Sequence, residues 1–165
     1  MTKITMKRVN AILEHPLFIS TLAHINELER DRLFCKHGLE HLVDVARISY
    51  ILSLESKSDT EYLKELFYAA ALLHDLGRGR QYEDGTPHEH ESAKLAEKIL
   101  PECGYDQSEV ELILDAILSH RSKMKHWKTA LAEYIYRADK LSRRCDQCAK
   151  LDECDWVMKN IGIEY

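Results

Sequence analysis

The chain has no apolar run approaching the roughly 20 residues that a membrane-spanning helix needs. Its first residues, Met1-Thr2-Lys3-Ile4-Thr5, carry no apolar core of the secretory kind. Both absences lead to the expectation of a cytoplasmic protein without a membrane partner. A positive charge excess is missing too: 23 Lys and Arg stand against 28 Asp and Glu, for a formal net charge of −5. No basic field is available to wrap a nucleic-acid polymer, although clusters such as Arg143-Arg144 still suit a small anion. The cysteines number five, an odd count that argues for thiols or metal ligands rather than a disulfide framework. Alternating Val/Ile/Thr-rich stretches are absent, which removes the usual strand signal.

What is present is helical periodicity, with apolar residues recurring at steps of three and four. A length of 165 residues fits one domain with a real core. Two short helices are predicted over about 6–14 and 17–29. A longer one follows, whose inner face includes Leu42, Val45, Ala46, Ser49 and Leu52. Ser58-Asp59-Thr60-Glu61 reads as a capping box opening a helix that runs to His74, with Gly77 and Gly79 as the exit. Thr86 as N-cap and Pro87 as first helical residue predict another helix reaching Leu100, just before Pro101. Asp106-Gln107-Ser108-Glu109 caps the next helix, whose last turn carries His120. A final one runs from about Thr129 through Asp139 toward Arg144. The expected class is an all-α bundle of about six to eight helices.

Chemistry concentrates at His74-Asp75, which closes the apolar run Ala69-Ala70-Ala71-Leu72-Leu73. A buried polar group without a partner costs roughly 1–3 kcal/mol, and a buried carboxylate costs more, so a helix ending this way calls for a cation. His41, His74, Asp75 and Asp139 suffice for one ion. His88 and His120 complete a second, bridged through Asp75. Mixed nitrogen and oxygen donors suit a divalent transition metal such as iron, manganese, zinc or nickel, whereas magnesium or calcium prefers oxygen alone. His90 rivals His88 within the same first turn. His37, four residues before His41 and expected on the same helical face, is read as supporting a ligand. His15, His24 and His126 lie outside any motif and are expected to be structural or exposed.

Three stretches, His41 in His-Leu-Val-Asp-Val-Ala, Leu-Leu-His74-Asp75-Leu-Gly and Tyr-Arg-Ala-Asp139-Lys, resemble the HD superfamily of metal-dependent phosphohydrolases. Pro87-His88-Glu-His-Glu-Ser-Ala93 and Ala-Ile-Leu-Ser-His120 resemble the extra histidines of its dinuclear subgroup, which includes bacterial diadenosine tetraphosphate hydrolases. The resemblance implies a single HD-like domain over 1–165, with a core at about 35–141. It further implies hydrolysis of a phosphate ester or anhydride of a small, nucleotide-like substrate by water activated at one or two ions. Asp75 would be the shared ligand, and Arg78 and Arg121, with Lys140 beside Asp139, would meet the phosphate. Arg78 stands where many relatives carry Lys, and no Gly-Tyr-Pro signature follows, which argues against a cyclic-dinucleotide phosphodiesterase. A monomer or homodimer is expected. Two other functions fit the same residues: a catalytically silent nucleotide-sensing module, and a bundle in which metal is only a structural staple.

A second constellation is Cys145, Cys148 and Cys154 after the Asp139 helix, with Cys35 six residues before His41. If the two helices are antiparallel, the four thiols meet, a set suited to structural zinc or an iron–sulfur cluster; the other reading is that they are buried apolar residues. The tail over 145–165 is expected to pack on the body through Asp155-Trp156-Val157-Met158.

Overall fold

The computed structural model describes residues 6–56, 63–121, 127–157 and 159–162. Among them the chain is all-α, with no strand. The order is α1 (Lys7–Glu14), α2 (Pro16–Leu28), α3 (Leu39–Glu55), α4 (Lys64–Leu73), α5 (Arg78–Asp84), α6 (His88–Glu102), α7 (Gln107–Ser119), α8 (Ala130–Leu141) and a 3-10 turn at Cys145–Gln147. No helix among the described residues is long and apolar enough to cross a membrane.

The hub is α4. Leu66, Phe67, Ala69, Ala70, Ala71, Leu72 and Leu73 are all buried, as expected for a helix that is apolar on every side and sits inside the bundle. It packs against α3, α7, α6, α8 and α1, while α8 bridges α3 and α7. The predicted inner face of α3 is confirmed at Leu42, Val45, Ala46, Ser49 and Leu52. Arg8 on α1 ties the far end of the hub by donating to Glu65 at 2.7 Å and Glu109 at 2.6 Å.

Local side-chain caps open α7 and α8. Asp106 accepts from the Glu109 N–H while Glu109 returns to the Asp106 N–H, so the expected capping box opens α7. Thr129 accepts from the Ala132 N–H and opens α8. The capping box expected at Ser58-Asp59-Thr60-Glu61 lies outside the described residues, and α4 itself begins only at Lys64, with an extended Leu63 as N-cap.

Four further boundaries differ from the sequence expectation. Gly77 and Gly79 do not lead into a loop: Gly77 is the N-cap of α5, and Gly79 lies inside it. Both glycines serve close approach. A Cβ on Gly77 would stand 2.2 Å from the His88 carbonyl oxygen and 2.8 Å from the Ser92 nitrogen, and one on Gly79 would stand 3.1 Å from the His24 ring. The start of α6 is one residue later than expected, because Pro87 is extended at ψ 119° and acts as N-cap. Thr86 caps nothing and instead donates its N–H to Asp84. Pro101 does not end α6, which continues to Glu102. The Cys103 N–H still reaches Ile99 O at 3.1 Å, and the chain then turns at Gly104, φ +84°. The last helix stops at Leu141, short of Arg144, with the Ser142 N–H closing on Ala138 O at 2.8 Å.

Candidate metal centre

Helix ends converge at one end of the bundle. His41 lies in the first turn of α3, His74 and Asp75 directly follow α4, His88 opens α6, His120 follows α7 and Asp139 sits in the last turn of α8. His74, Asp75, His88, His120 and Asp139 are buried, and His41 nearly so.

Two ligand groups result, each with donor atoms within 4.8 Å of one another: His41, His74, Asp75 and Asp139, and Asp75, His88 and His120. Asp75 belongs to both. Its Oδ2 faces His74 Nε2 at 3.3 Å and His41 Nε2 at 3.5 Å, while its Oδ1 faces His88 Nε2 at 2.9 Å and His120 Nε2 at 3.7 Å. Asp139 Oδ1 completes the first group at 3.5 Å from His41 Nε2 and 3.9 Å from His74 Nε2.

The second ring nitrogen of each histidine is engaged from outside. His74 Nδ1 pairs with Ala71 O at 2.7 Å, His88 Nδ1 with Gln81 Oε1 at 2.8 Å, His41 Nδ1 with Ser142 Oγ at 3.2 Å, and His120 Nδ1 with Ile117 O. Such bonds to Nδ1 turn Nε2 inward and set the ring orientation, as in metal-ligating histidines.

These donors fit a cation. His41 Nε2, His74 Nε2 and Asp75 Oδ2 are buried and have no hydrogen-bond partner. Such orphans are costly unless a ligand satisfies them. Electrostatics agree. Burial alone would raise the Asp75 carboxyl, but His74, Arg78 and His37 hold it well below the usual range. Burial opposes ionisation of Asp139 too, and His74, Arg143 and Lys140 overcome it. Burial lowers His41 and His120, and lowers His88 to about 4, so these imidazoles are neutral, the form that ligates metal. His74 differs: burial would lower it, yet Asp75 and Asp139 push it up to about 9. A proton there answers the same two carboxylates that a metal would.

Beside the cluster opens a cavity of about 260 Å³ that reaches Asp139 and His37. Arg78, Arg121, Lys140, Arg32 and Arg143 line it. Arg78 is committed first to the ligand, donating to Asp75 Oδ1 at 2.9 Å and to Gln81 at 3.2 Å. Arg121 is half-exposed, its nearest carboxylate Glu89 at 3.8 Å. Lys140 donates to Asp139 and to His120 O, and Arg143 donates to Asp139 Oδ1 at 2.9 Å.

His90 is exposed, which leaves His88 as the residue of that turn at the cluster. His37 is not on the helical face of His41, because α3 begins only after the N-cap Gly38. It reaches the site from the preceding loop, its N–H donating to Glu29 Oε2 at 2.7 Å and its Nε2 lying 3.9 Å from Asp75 Oδ2. Glu29 also accepts from Tyr82. Burial would raise the Glu29 carboxyl, but His37 and Tyr82 bring it to about 2. Glu29, Gln81 and Tyr82 gave no sequence signal, since each acts only by contact with a residue from another element. Arg143 had one, as half of a basic pair. His15 pairs with Glu102 and His24 with Glu83 at the surface; His126 lies outside the described residues.

The four cysteines do not form a ligand set. All are free thiols, and no three of them bring their sulfurs within 4.8 Å of one another. Cys35, Cys145 and Cys154 line the cationic cavity instead. The register inferred from six-residue spacing fails because Cys35 and Cys145 both lie beyond the helix ends, where a rise of about 1.5 Å per residue no longer holds. The tail packs on the body only in part. Trp156 approaches Lys140 at 5.8 Å and Asn160 donates to Leu141 O at 2.7 Å, but Val157 is 93% exposed. Met158 lies outside the described residues.

The HD domain family model matches residues 38–144, a span that contains all six candidate ligands. An uncharacterized protein of Clostridium beijerinckii is 43% identical over 162 residues, covering 97% of this chain and all of that one. Ribonuclease Y of Oleidesulfovibrio alaskensis is 31% identical over 128 residues, covering 78% of this chain but only 22% of that protein. Among solved structures, a predicted HD superfamily hydrolase from an uncultured Thermotogales bacterium aligns with a TM-score of 0.58 at 26% identity, over 81% of this chain and 72% of that one.

Proposed function

Because the chain belongs to the HD domain family, we propose that it is a metal-dependent phosphohydrolase acting on a phosphate ester or anhydride of a small, nucleotide-like molecule. The observation that carries this reading is the pair of ligand groups sharing Asp75, with three buried orphan atoms, set beside a cavity lined by five cationic side chains. The second group, Asp75 with His88 and His120, supports the likeness to the dinuclear subgroup.

Bound there, one or two divalent transition ions, whether iron, manganese, zinc or nickel, would supply the Lewis acidity that polarises a phosphoryl oxygen and acidifies water. The chain's own residues do the rest. His41, His74, Asp75 and Asp139 would hold one ion, and Asp75, His88 and His120 the other. Lys140, Arg121 and Arg143 neutralise phosphate oxygens as charge builds up, and Arg78 does so while fixing the Asp75 carboxylate. His37, anchored by Glu29, lines the same cavity with its Nε2 3.9 Å from Asp75 Oδ2 and positions what binds there. A volume of about 260 Å³ admits a small ester and not a folded polymer, which with the acidic net charge favours a small substrate over RNA. The relative named ribonuclease Y makes short RNA a useful member of a test panel.

The test is metal content by elemental analysis on protein purified without added metal, combined with phosphate release from nucleotides, phosphate esters and short RNA. Stoichiometric transition metal with turnover that falls at least about 10³-fold in Asp75→Ala is expected. Metal with tight nucleotide binding and no turnover on any substrate would overturn hydrolysis in favour of sensing.

A further inference from the structure

The cysteines divide into two kinds by their surroundings. Cys103 is buried and belongs to the apolar core with Ile99 and Leu100. Cys35, Cys145 and Cys154, brought from three separate segments, instead line the cationic cavity. All are free thiols. Apolar packing accounts for the first kind but not for the second, which shares its wall with five Arg and Lys side chains. Accessible thiols in electropositive surroundings are placed to react.

The three differ in access. Cys145 is buried in the turn that follows α8, whereas Cys35 and Cys154 are half-buried. Cys35 has a fixed place in the loop before α3, because Arg32 Nε donates to its carbonyl at 2.9 Å. Together with Arg143 it also lines a second, open groove of about 640 Å³, so the two residues stand between groove and cavity. Cys35 is thus reached from either side. Cys154 is carried by the tail, where its N–H reaches Leu151 O at 3.4 Å, longer than a strong hydrogen bond. Asp155 and Trp156 follow it, exposed and lining the same cavity. A tail held this lightly can shift to bring two sulfurs to the roughly 2 Å of a disulfide.

We propose that Cys35 and Cys154 are a modification site for small disulfides bearing carboxylates, which oxidise the two thiols to one protein disulfide and so close the cationic cavity. Only the consequence of closure, exclusion of a phosphate substrate, rests on the phosphohydrolase reading. The cations draw the anionic disulfide in. Cys35 Sγ, as thiolate, attacks one of its sulfurs: a mixed disulfide forms, the reagent's S–S bond breaks, and the leaving thiolate takes up the proton that Cys35 gave up. Cys154 then attacks the Cys35 sulfur in the same way, and the second small thiol leaves. The chain gives up two electrons and two protons, and the reagent gains both as it becomes two thiols. The new bond fixes Asp155 and Trp156 against the cavity, where the Asp155 carboxylate takes the place of phosphate among the cations.

Glutathione disulfide, an anion, is compared with neutral 2-hydroxyethyl disulfide on the reduced chain, each rate taken relative to that with free cysteine. The relative rate is expected to be at least about tenfold greater for glutathione disulfide, and the gap to close in about 1 M salt or saturating inorganic phosphate. Peptide mass spectrometry should find Cys35 joined to Cys154, with two small thiols released per chain. In Cys154→Ser a glutathione adduct should remain on Cys35. Calorimetry should show the oxidised chain binding inorganic phosphate at least about tenfold more weakly than the reduced chain, with dithiothreitol restoring affinity. Cys35→Ser should bind phosphate equally before and after the oxidant. Equal relative rates for the two disulfides, or modification elsewhere with Cys35 untouched, would overturn the site. Unchanged phosphate affinity on oxidation would overturn the closure. None of these readouts needs turnover, so a chain that is silent across the substrate panel yet oxidises in this way loses the hydrolase reading and keeps the thiol pair.

Discussion

In the half of the centre built by α3, α4 and α8, His41 Nε2 and His74 Nε2 have no hydrogen-bond partner, whereas in the half built by α6 and α7 the Nε2 atoms of His88 and His120 lie 3.0 Å apart. With Nδ1–H of each neutral ring turned to Gln81 Oε1 or Ile117 O, both of these Nε2 atoms are bare acceptors close enough to face one cation. The second half draws its negative charge from the shared carboxylate, with His88 Nε2 2.9 Å from Asp75 Oδ1. The first half concentrates two ionised carboxylates against one raised histidine. The difference teaches that the halves attract a cation to different degrees: the first offers two carboxylates, and the second only the one it shares through Asp75.

The largest effect should come from removing a ligand on either side of that divide. His41→Ala is expected to abolish the tight ion and turnover, by at least about 10³-fold. His88→Ala should leave one equivalent of metal bound while activity drops. Elemental analysis of both variants decides this, and equal metal loss from the two would erase the distinction. On the unmodified protein, titration with a chelator should release metal in two steps, the weaker belonging to His88 and His120. A single step would show the halves to be one unit.

Gly77→Ala should come next. Its Cβ would press into the His88 carbonyl and the Ser92 nitrogen, both backbone, so α6 must move. A loss of about 1–3 kcal/mol in unfolding free energy is expected, with the second ion lost before the first. Denaturant melts with and without metal measure both. Gln81→Ala is the smallest and sharpest probe, since its Oε1 contacts His88 Nδ1 at 2.8 Å and no ligand of the first group. A weakening of the second ion by about 10–100-fold is expected, as for other groups that orient metal ligands, with the first unchanged.

Much of this was legible beforehand where the signal is local. An apolar helix ending in His74-Asp75, the Asp106–Glu109 capping box and the Thr129 cap all depend on residues within a few positions of one another. What was missed depends on packing. The seven residues of α5 contain no apolar period, and it is a helix because Gly77 and Gly79 let it lie against α6 and α2. Glu29 and Gln81 matter only through His37 and His88. Cysteine spacing misled, since thiols past the ends of helices do not keep a helical register.

The order and type of the donors, their placement at helix ends and the all-α class were determined by the sequence alone, because periodicity, caps and side-chain chemistry act over one or two turns. Tertiary structure decided that six donors split into two groups around Asp75, that His88 rather than His90 turns inward, and that cavities open on both sides of Arg143. Convergence to 3–4 Å between residues as distant as His41 and Asp139 is set by how helices remote in sequence cross, and no local pattern encodes that.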